Sequence, residues 1–427
     1  MTNVEKTLES QWDEATSHSL KDEDIESARL LLGVDTANRE REYNQTATYD
    51  NIRNFAHGCG NDNPLHCDPL YAKKSRWGDV IAPGMMAGII NAPMLGDPLN
   101  PELKARTRGI FRGVHVFVSG SGWQWFRPIL PRDTLYSFRG EETIEVKQSE
   151  FAGRSAVRVR RDVKVNQRSE VVAIYRCLTV YAERKTARKK GKYLAIQPAR
   201  YTDEDTAKID AIYADEKVQG ATKRYFEEVQ VGDSLGVMAK GPLSVTDVMC
   251  FHAGGYGFVP YAPTVGRLAY KNRKRIPAFY LKNQHGAWDV AQRLHWDDTW
   301  AQAIGNPMAY DYGVMRENYL YHYLTDWCGD DGIVTHVGDE IRKFNYMGDT
   351  QYITGEVVEK NGEHGRYTVD VSVRFTNQRG DPTVNATATI ALPSKSGGLP
   401  TYPPVPPELE QKAARMMARH HELAGNV

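Results

Sequence analysis

The chain has 427 residues, more than one hydrophobic core usually supports, so its length predicts two domains. Its 54 Lys and Arg residues balance 54 Asp and Glu residues, which argues against a chain-wide role on nucleic acid or on a membrane surface. Five cysteines are scattered without CxxC spacing, no apolar run could span a bilayer, and the start is charged. These features predict a reduced cytoplasmic protein whose partners are small molecules or other proteins.

Two segments of the sequence repeat one pattern of residues. HCDPLYAKKSRWGDVIAPGMM begins at His66, HWDDTWAQAIGNPMAYDYGVM begins at His295, and both contain H-x-D-x-x-(Y/W)-A. In each segment a glycine follows the histidine by 18 residues. PRDTLY and NQR in the first part of the chain return as MGDTQY and NQR in the second. The sequence therefore predicts two copies of one domain.

Each copy is predicted to begin with a helix and to continue with strands. GIINAPML and ENYLYHYLTDW follow the two histidine segments and are compatible with helices. Apolar and polar residues then alternate as in half-covered strands, in VRVRRDVKV from Val157, YTVDVSVRF from Tyr367 and ATATIAL from Ala386. Asn361-Gly362 predicts a tight hairpin. Because such strands need one covered face, each copy is predicted to be an α+β unit with an antiparallel sheet on one long helix.

The composition also predicts where the copies begin and end. The N-terminal copy is placed at residues 20–185, a linker with a basic run at 186–222, and the C-terminal copy at 223–394. Residues 395–427 are predicted to form a Pro-rich tail with a short helix, a solvated strap over the surface.

The repeated segments carry a resemblance to a known family. GNDNPLHCDPLYA is similar to the hydratase 2 motif of MaoC-like enoyl-CoA hydratases and dehydratases, whose pattern is G-D-x-N-P-(L/I/V)-H. PILPRDTL resembles the P-V-x-x-G-D-x-L strand of the same family. Together the copies resemble a double hot dog chain with an N-terminal half of the fatty-acid-synthase-like dehydratase type. The resemblance implies a tandem hot dog fold whose two sheets pair edge to edge.

The resemblance also implies a reaction. An acid and a histidine five residues apart would hold a water that attacks C3 of a trans-2-enoyl thioester, while one of them protonates C2. A backbone N–H at the first turn of the buried helix would stabilise the thioester oxygen, and Gly84 and Gly313 stand at that position. Helix-start packing is the alternative role for both glycines. The expected product is an (R)-3-hydroxyacyl-CoA, formed without metal or cofactor, since coenzyme A belongs to the substrate.

Both copies depart from the family pattern at the catalytic acid. In the N-terminal copy Asn61 stands five residues before His66, and an amide can orient a water but cannot take its proton. Asp62 is adjacent and is an alternative acid. The C-terminal copy lacks Asn-Pro, but Asp289 lies six residues before His295. Asp289 with His295 is therefore the first predicted catalytic pair, and Asn61 with His66 is the second.

The C-terminal copy contains about 32 additional residues before His295. Aromatic residues in this insert could line a pocket for a bulky acyl group. Its basic cluster is predicted to bind the phosphates of coenzyme A, with a solvated face as the alternative; it consists of Lys271, Arg273, Lys274 and Arg275.

Other functions remain open from the sequence. A zinc site is disfavoured because the spacing matches no structural site; its candidate ligands are His57, Cys59, His66 and Cys67. Because Asn61 replaces the catalytic acid, the chain could instead be a non-catalytic subunit that binds acyl-CoA. A hot dog thioesterase would need Glu317 or Asp326 as an acid on the central helix. A homodimer or a hetero-oligomer with another hot dog subunit is also compatible with the family.

Overall fold

A computed structural model describes residues 7–16, 18–149, 153–182, 195–256, 264–362 and 365–425. The strands are β1 (Thr36–Ala37), β2 (His115–Trp125), β3 (Leu135–Ser149), β4 (Gly153–Asn166), β5 (Val171–Ala182), β6 (Ser234–Lys240), β7 (Tyr280–Lys282), β8 (Trp288–Val290), β9 (Ile333–Ile341), β10 (Gln351–Asn361), β11 (Thr368–Asn377) and β12 (Pro382–Ala391). The α-helices are Leu8–Thr16, Asp22–Arg29, Tyr49–His57, Pro64–Cys67, Pro69–Ala72, Pro101–Arg106, Asp203–Asp215, Val245–Ala253, Gly266–Arg275, Asp298–Ala303, Gly313–Cys328 and Pro407–Gly425. The 3-10 helices are Gly84–Gly88, Phe226–Glu228, Pro277–Phe279 and Ala291–His295.

Ten strands form one antiparallel sheet that crosses both copies. Its order is β1-β3-β4-β5-β2-β9-β12-β11-β10-β6, so each copy contributes five strands in mirrored order. The copies join where β2 pairs with β9, with Ser121 opposite Asp339. Gly120 is required at this junction, because a Cβ there would lie 2.2 Å from the Asp339 carbonyl oxygen. The predicted edge-to-edge pairing of two hot dog sheets is confirmed.

The shorter repeated motifs meet each other in both copies. In the N-terminal copy Asp133 pairs with Arg168 at 2.9 Å, and in the C-terminal copy Asp349 pairs with Arg379 at 2.5 Å. The glutamine of each NQR accepts a backbone N–H from the threonine of each Asp-Thr pair, at 2.9 and 3.0 Å. The repeated motifs therefore hold the turn between β4 and β5 against the start of β3, and the turn between β11 and β12 against the start of β10.

The two copies differ most at the helix that should lie on the sheet. In the C-terminal copy the predicted helix is confirmed as Gly313–Cys328, here named the central helix, and most of its residues are buried. In the N-terminal copy the prediction from GIINAPML is wrong, because the 3-10 turn ends at Gly88 and residues 89–100 contain no helix. Pro93 explains part of this difference, since proline lacks the N–H that an α-helix needs and restricts the residue before it.

A helix from the end of the chain covers the N-terminal sheet instead. The tail contains a 19-residue helix, Pro407–Gly425, named the C-terminal helix, so the expected short helix is wrong. None of residues 395–406 before it is buried, as expected of a solvated strap. Ala413 and Met417 are fully buried and pack with Phe138 and Val163 of the N-terminal sheet. His420 Nδ1 accepts the backbone N–H of Leu95 at 2.9 Å.

Three other predicted segments have different outcomes. Residues 186–194 of the linker lie outside the described residues, but the remainder contains the helix Asp203–Asp215, capped by Thr202. The hairpin at Asn361-Gly362 exists, yet β11 begins only at Thr368, so its loop is longer than the tight turn predicted. In the insert the basic cluster lies on the helix Gly266–Arg275. Two of the aromatic residues of the insert, Phe258 and Tyr261, lie outside the described residues.

Candidate active site

The loop of residues 60–68, here the His66 loop, is built by two consecutive helix caps. The Asn63 side chain accepts the Leu65 N–H at 3.0 Å and begins the short helix Pro64–Cys67, with Pro64 in its first turn. Asp68 caps the next helix, Pro69–Ala72, in the same way. These caps turn the loop inward, so that His66 is almost completely buried.

His66 has the geometry of a neutral proton acceptor. Its Nδ1 lies 2.7 Å from the carbonyl oxygen of Ile81, which can only accept, so Nδ1 carries the hydrogen. Nε2 then keeps its lone pair, and it is buried without a hydrogen bond in the described part of the chain. Burial lowers the pKa of His66 to about 4, partly opposed by the Ile81 carbonyl and by Asp326. The imidazole is therefore neutral at physiological pH.

Asn61 supports the His66 loop rather than supplying an acid. Its Oδ1 accepts the N–H of Asn63 at 3.0 Å, and the side chain is buried. Asp62, the alternative acid, is exposed and lines a cavity of about 380 Å³ together with Asn61 and Glu216. The cavity beside His66 holds only about 20 Å³, since Trp77 and Tyr321 occupy the space next to it.

A buried polar cluster on the central helix lies against this loop. Asp326 Oδ1 accepts from Asn63 Nδ2 at 3.0 Å, and Asp326 Oδ2 lies 3.0 Å from His322 Nε2. His322 Nδ1 is 3.0 Å from Lys240 Nζ, which also donates to the Gly60 carbonyl oxygen at 3.1 Å. Sequence reasoning missed His322 and Lys240 and assigned Asp326 only to the thioesterase alternative. The i,i+4 spacing of His322 and Asp326 on one helix face was the available signal.

The same cluster contains the one set of metal-ligand types that converges among the described residues. Ligand atoms of Glu216, His322 and Asp326 all lie within 4.8 Å of one another. A metal would need the Nε2 lone pair of His322. Where Lys240 carries its ammonium, it donates to Nδ1, so that Nε2 carries the hydrogen and is not a ligand. The zinc ligands considered from the sequence fit no better, because burial raises the pKa of Cys59 to about 12 and that of Cys67 to about 11.

The C-terminal copy repeats the hydrogen bond of the histidine to a backbone carbonyl, but the surroundings of the ring differ. His295 Nδ1 lies 2.8 Å from the Tyr310 carbonyl oxygen, 15 residues on, as Ile81 is from His66. The ring stacks on Tyr312 with centroids 3.8 Å apart, and burial lowers its pKa to about 4. Asp289 pairs with Arg293 at 2.5 Å instead, and it makes no hydrogen bond to His295 within the described ranges.

Both predicted oxyanion glycines begin a helical segment. Gly313 is the first residue of the central helix, and a Cβ there would lie 2.7 Å from Ile341 Cδ1. Gly84 begins the 3-10 turn, its backbone hydrogen-bonds Tyr321, and a Cβ would lie 2.7 Å from Trp125 Nε1. Close packing against two aromatic rings therefore explains Gly84, and a thioester oxygen there would have to displace the Tyr321 hydroxyl. At Gly313 the near atom is the end of a flexible side chain, so the oxyanion role stays a prediction.

The remaining predicted residues make no contact with His66 among those found in the described part of the chain. Lys271, Lys274 and Arg275 are exposed on the helix Gly266–Arg275, and Lys274 Nζ lies 4.6 Å from the Tyr270 ring centre. Arg273 on this helix is half-buried. Glu317, the other thioesterase candidate, accepts from Trp123 Nε1 at 3.0 Å at the junction of the copies.

Comparison with known proteins agrees with this architecture. Residues 36–175 match the family model of the FAS1-like dehydratase domain region. The matched residues all lie in the N-terminal copy, which is similar to that dehydratase region. This dehydratase region contains the His66 loop, and the resemblance to MaoC-like dehydratases inferred from the motifs is confirmed.

Solved structures share the fold at low sequence identity. A structure named MaoC-like dehydratase has a TM-score of 0.56 and 16% identity, covering 86% of this chain and 99% of its own. A putative MaoC domain protein dehydratase from Chloroflexus aurantiacus has a TM-score of 0.45 and 12% identity, covering 85% and 96%. A Mycobacterium tuberculosis protein described as a double hotdog fold has a TM-score of 0.46 and 11% identity, covering 86% and 97%. No curated protein matches the sequence. No described helix combines the length and apolarity of a membrane-spanning segment.

Proposed function

We propose that the protein is a hydro-lyase that reversibly adds water to a trans-2-enoyl-CoA to give a 3-hydroxyacyl-CoA. The observation that carries the proposal is the fixed tautomer of His66, which leaves a buried Nε2 lone pair in a loop of the dehydratase region. Coenzyme A is proposed as part of the substrate, and the reaction is proposed to need no other cofactor.

The His66 site is preferred over the pair first predicted from the sequence. His295 stacks directly on Tyr312, and Asp289 is neutralised by Arg293. Neither contact leaves an acid and a base facing one water. His66 instead lies in a loop whose Asn63 side chain contacts Asp326, a buried acid whose charge favours the imidazolium. The C-terminal copy is proposed to act as a wall of the site.

The chemistry at His66 follows from its neutral state. Nε2 accepts a proton from the water as the water oxygen bonds to C3 of the enoyl thioester. The resulting imidazolium returns a proton to C2, which restores the neutral ring and completes the addition of one water. The cavity beside His66 is small, so binding an acyl chain requires Trp77 or Tyr321 to move.

The test measures hydration of crotonyl-CoA and of longer enoyl-CoA substrates as loss of enoyl absorbance. The purified chain is expected to be active alone, and His66→Ala should lower kcat by about 10²- to 10⁴-fold. His295→Ala is the matched control, because it removes the equivalent ring of the other copy and should cost far less. The reverse ranking would return the catalytic role to the C-terminal copy.

A second candidate function is an acyl-CoA-binding subunit of a hetero-oligomeric hydratase. It is favoured by Asn61, an amide where an acid is expected, and by the small cavity beside His66. An inactive wild-type chain that nevertheless binds an acyl-CoA in calorimetry would support this candidate and reject the first.

A further inference from the structure

A buried carboxylate from the C-terminal copy lies behind the His66 loop. Asp326 belongs to the central helix and is only 3% exposed. Its contact with Asn63 joins residues 263 positions apart. Since Asn63 caps the short helix that carries His66, Asp326 is attached to the same rigid turn as the proposed base.

This carboxylate occupies a place where the His66 loop itself offers no acid. Asn61 is an amide whose oxygen is already used by Asn63, and Asp62 is exposed. The negative charge of Asp326 acts on His66 in the direction that favours the imidazolium. Asp326 Oδ2 makes no hydrogen bond of good geometry within the described ranges.

The surrounding contacts hold Asp326 in position and compensate its charge. Lys240 is buried and spans from His322 Nδ1 to the Gly60 carbonyl, one residue before Asn61. His322 in turn lies at ion-pair distance from Asp326. A buried carboxylate without such partners would be strongly unfavourable. The chain Lys240–His322–Asp326–Asn63 therefore ties the central helix to the His66 loop at Gly60 and at Asn63.

We propose that Asp326 supplies, from the C-terminal copy, the carboxylate that the His66 loop lacks at Asn61. This inference rests on the proposed hydratase function. As the water O–H bond breaks and its proton moves to His66 Nε2, Asp326 stabilises the imidazolium. The imidazolium then gives the proton to C2, and Asp326 keeps its charge throughout. Asp326 is thus a positioning residue that acts through His66.

The central experiment compares Asp326→Asn with a rescue variant. Asp326→Asn keeps the shape and the contact with Asn63, and it should lower kcat by about 10²-fold with little change in KM. Adding Asn61→Asp in the same chain should recover at least about tenfold of that loss, because it restores a carboxylate beside His66. Asp62→Asn is the matched control and should leave kcat within about threefold.

Two further measurements separate this role from simple structural support. The acid limb of kcat/KM should move to lower pH in Asp326→Asn, because the group that favours protonated His66 is gone. Asn61→Asp alone, which leaves the central helix untouched and serves if Asp326→Asn does not fold, should not raise kcat, because Asp326 already supplies the carboxylate. A gain of tenfold or more would mean that the site lacks a carboxylate, and it would overturn the proposal.

The results distinguish a wrong role for Asp326 from a wrong proposed function. If His66→Ala loses activity but Asp326→Asn does not, the role of Asp326 is overturned while the proposed function stands. An inactive wild type, or an active His66→Ala, overturns both. Loss of activity on chelation that Zn²⁺ restores would assign Asp326 to a metal centre with Glu216 and His322, and this would also overturn the proposal.

Discussion

At the scale of single residues, burial decides the chemistry of the histidines. A histidine in water titrates near pH 6.5, so its basic form would be lost in mildly acidic solution. Burial costs the imidazolium more than the neutral ring, and His66 therefore stays neutral far below that pH. A neutral imidazole suits this reaction, because it accepts a proton from the water and returns a proton to C2 within one addition.

This neutral state predicts an unusual pH profile for hydration. Because the pKa of His66 is lowered to about 4, kcat/KM should stay flat between about pH 5.5 and 8. Measurement in buffers of constant ionic strength checks this expectation. An acid limb near pH 6.5 would show that the operative histidine is exposed, and it would contradict the His66 assignment.

Gly84 gives a second prediction, about packing at a single position. Gly84→Ala should destabilise the protein by about 1–3 kcal/mol, because the new methyl group would lie 2.7 Å from Trp125 Nε1 and 3.0 Å from Tyr321. Gly88→Ala is the matched control in the same 3-10 turn, since its Cβ would meet Trp123 at an ordinary 3.5 Å. Equal urea midpoints for the two variants would contradict the packing role.

At the scale of elements, local patterns predicted the strands and the central helix well. The runs from Val157, Tyr367 and Ala386 lie within strands, to within one residue at either end, since alternation over many residues reports one covered face. The missing N-terminal helix could not be predicted in the same way. Its place on the sheet is taken by residues more than 300 positions later, and no local pattern records such a substitution.

The contact of Asp326 with the His66 loop could not be predicted for a related reason. The sequence identified His66, His295 and both helix-start glycines because their spacing repeats. The contact between Asn63 and Asp326 depends on how the two copies join, and sequence spacing within one copy contains no information about it.

The basic helix Gly266–Arg275 permits a test of the coenzyme A assignment. If its exposed side chains bind phosphates, Lys271→Ala with Lys274→Ala should raise KM severalfold at low salt with kcat almost unchanged. The matched control is Lys208→Ala with Lys217→Ala, which removes two exposed lysines elsewhere. An unchanged KM at low salt would assign the cluster to a solvated face.

At the scale of the whole molecule, the junction of the copies contains two buried carboxyl groups. Glu317 lies on the central helix and Asp339 on β9, and Asp339 accepts from Ser121 of the N-terminal copy. Burial raises the pKa of both carboxyls, and the charge of Asp339 raises the pKa of Glu317 further. The native junction therefore holds a proton that the unfolded chain releases near pH 4.5.

This bound proton predicts a pH dependence of stability. A native pKa above the unfolded value means that stability falls as pH rises from the unfolded pKa through the native one. Glu317→Gln should remove the part of that dependence that comes from Glu317. The difference between its melting temperature and that of the wild type should therefore increase in favour of the variant as the pH rises from about 5 to 8. Glu356→Gln, an exposed carboxyl on β10, is the control. A parallel decline in Glu317→Gln and wild type would contradict the assignment.

The C-terminal helix has a consequence for synthesis on the ribosome. Its residues Ala413 and Met417 complete the covering of strands that are translated near the start of the chain. Domains usually fold in the order in which they emerge, but here part of the apolar face of the N-terminal sheet stays uncovered until the C-terminal helix leaves the exit tunnel. The nascent N-terminal copy should therefore be held by chaperones for most of translation, and a pulse of protease on stalled chains should cleave it until residue 425 is exposed.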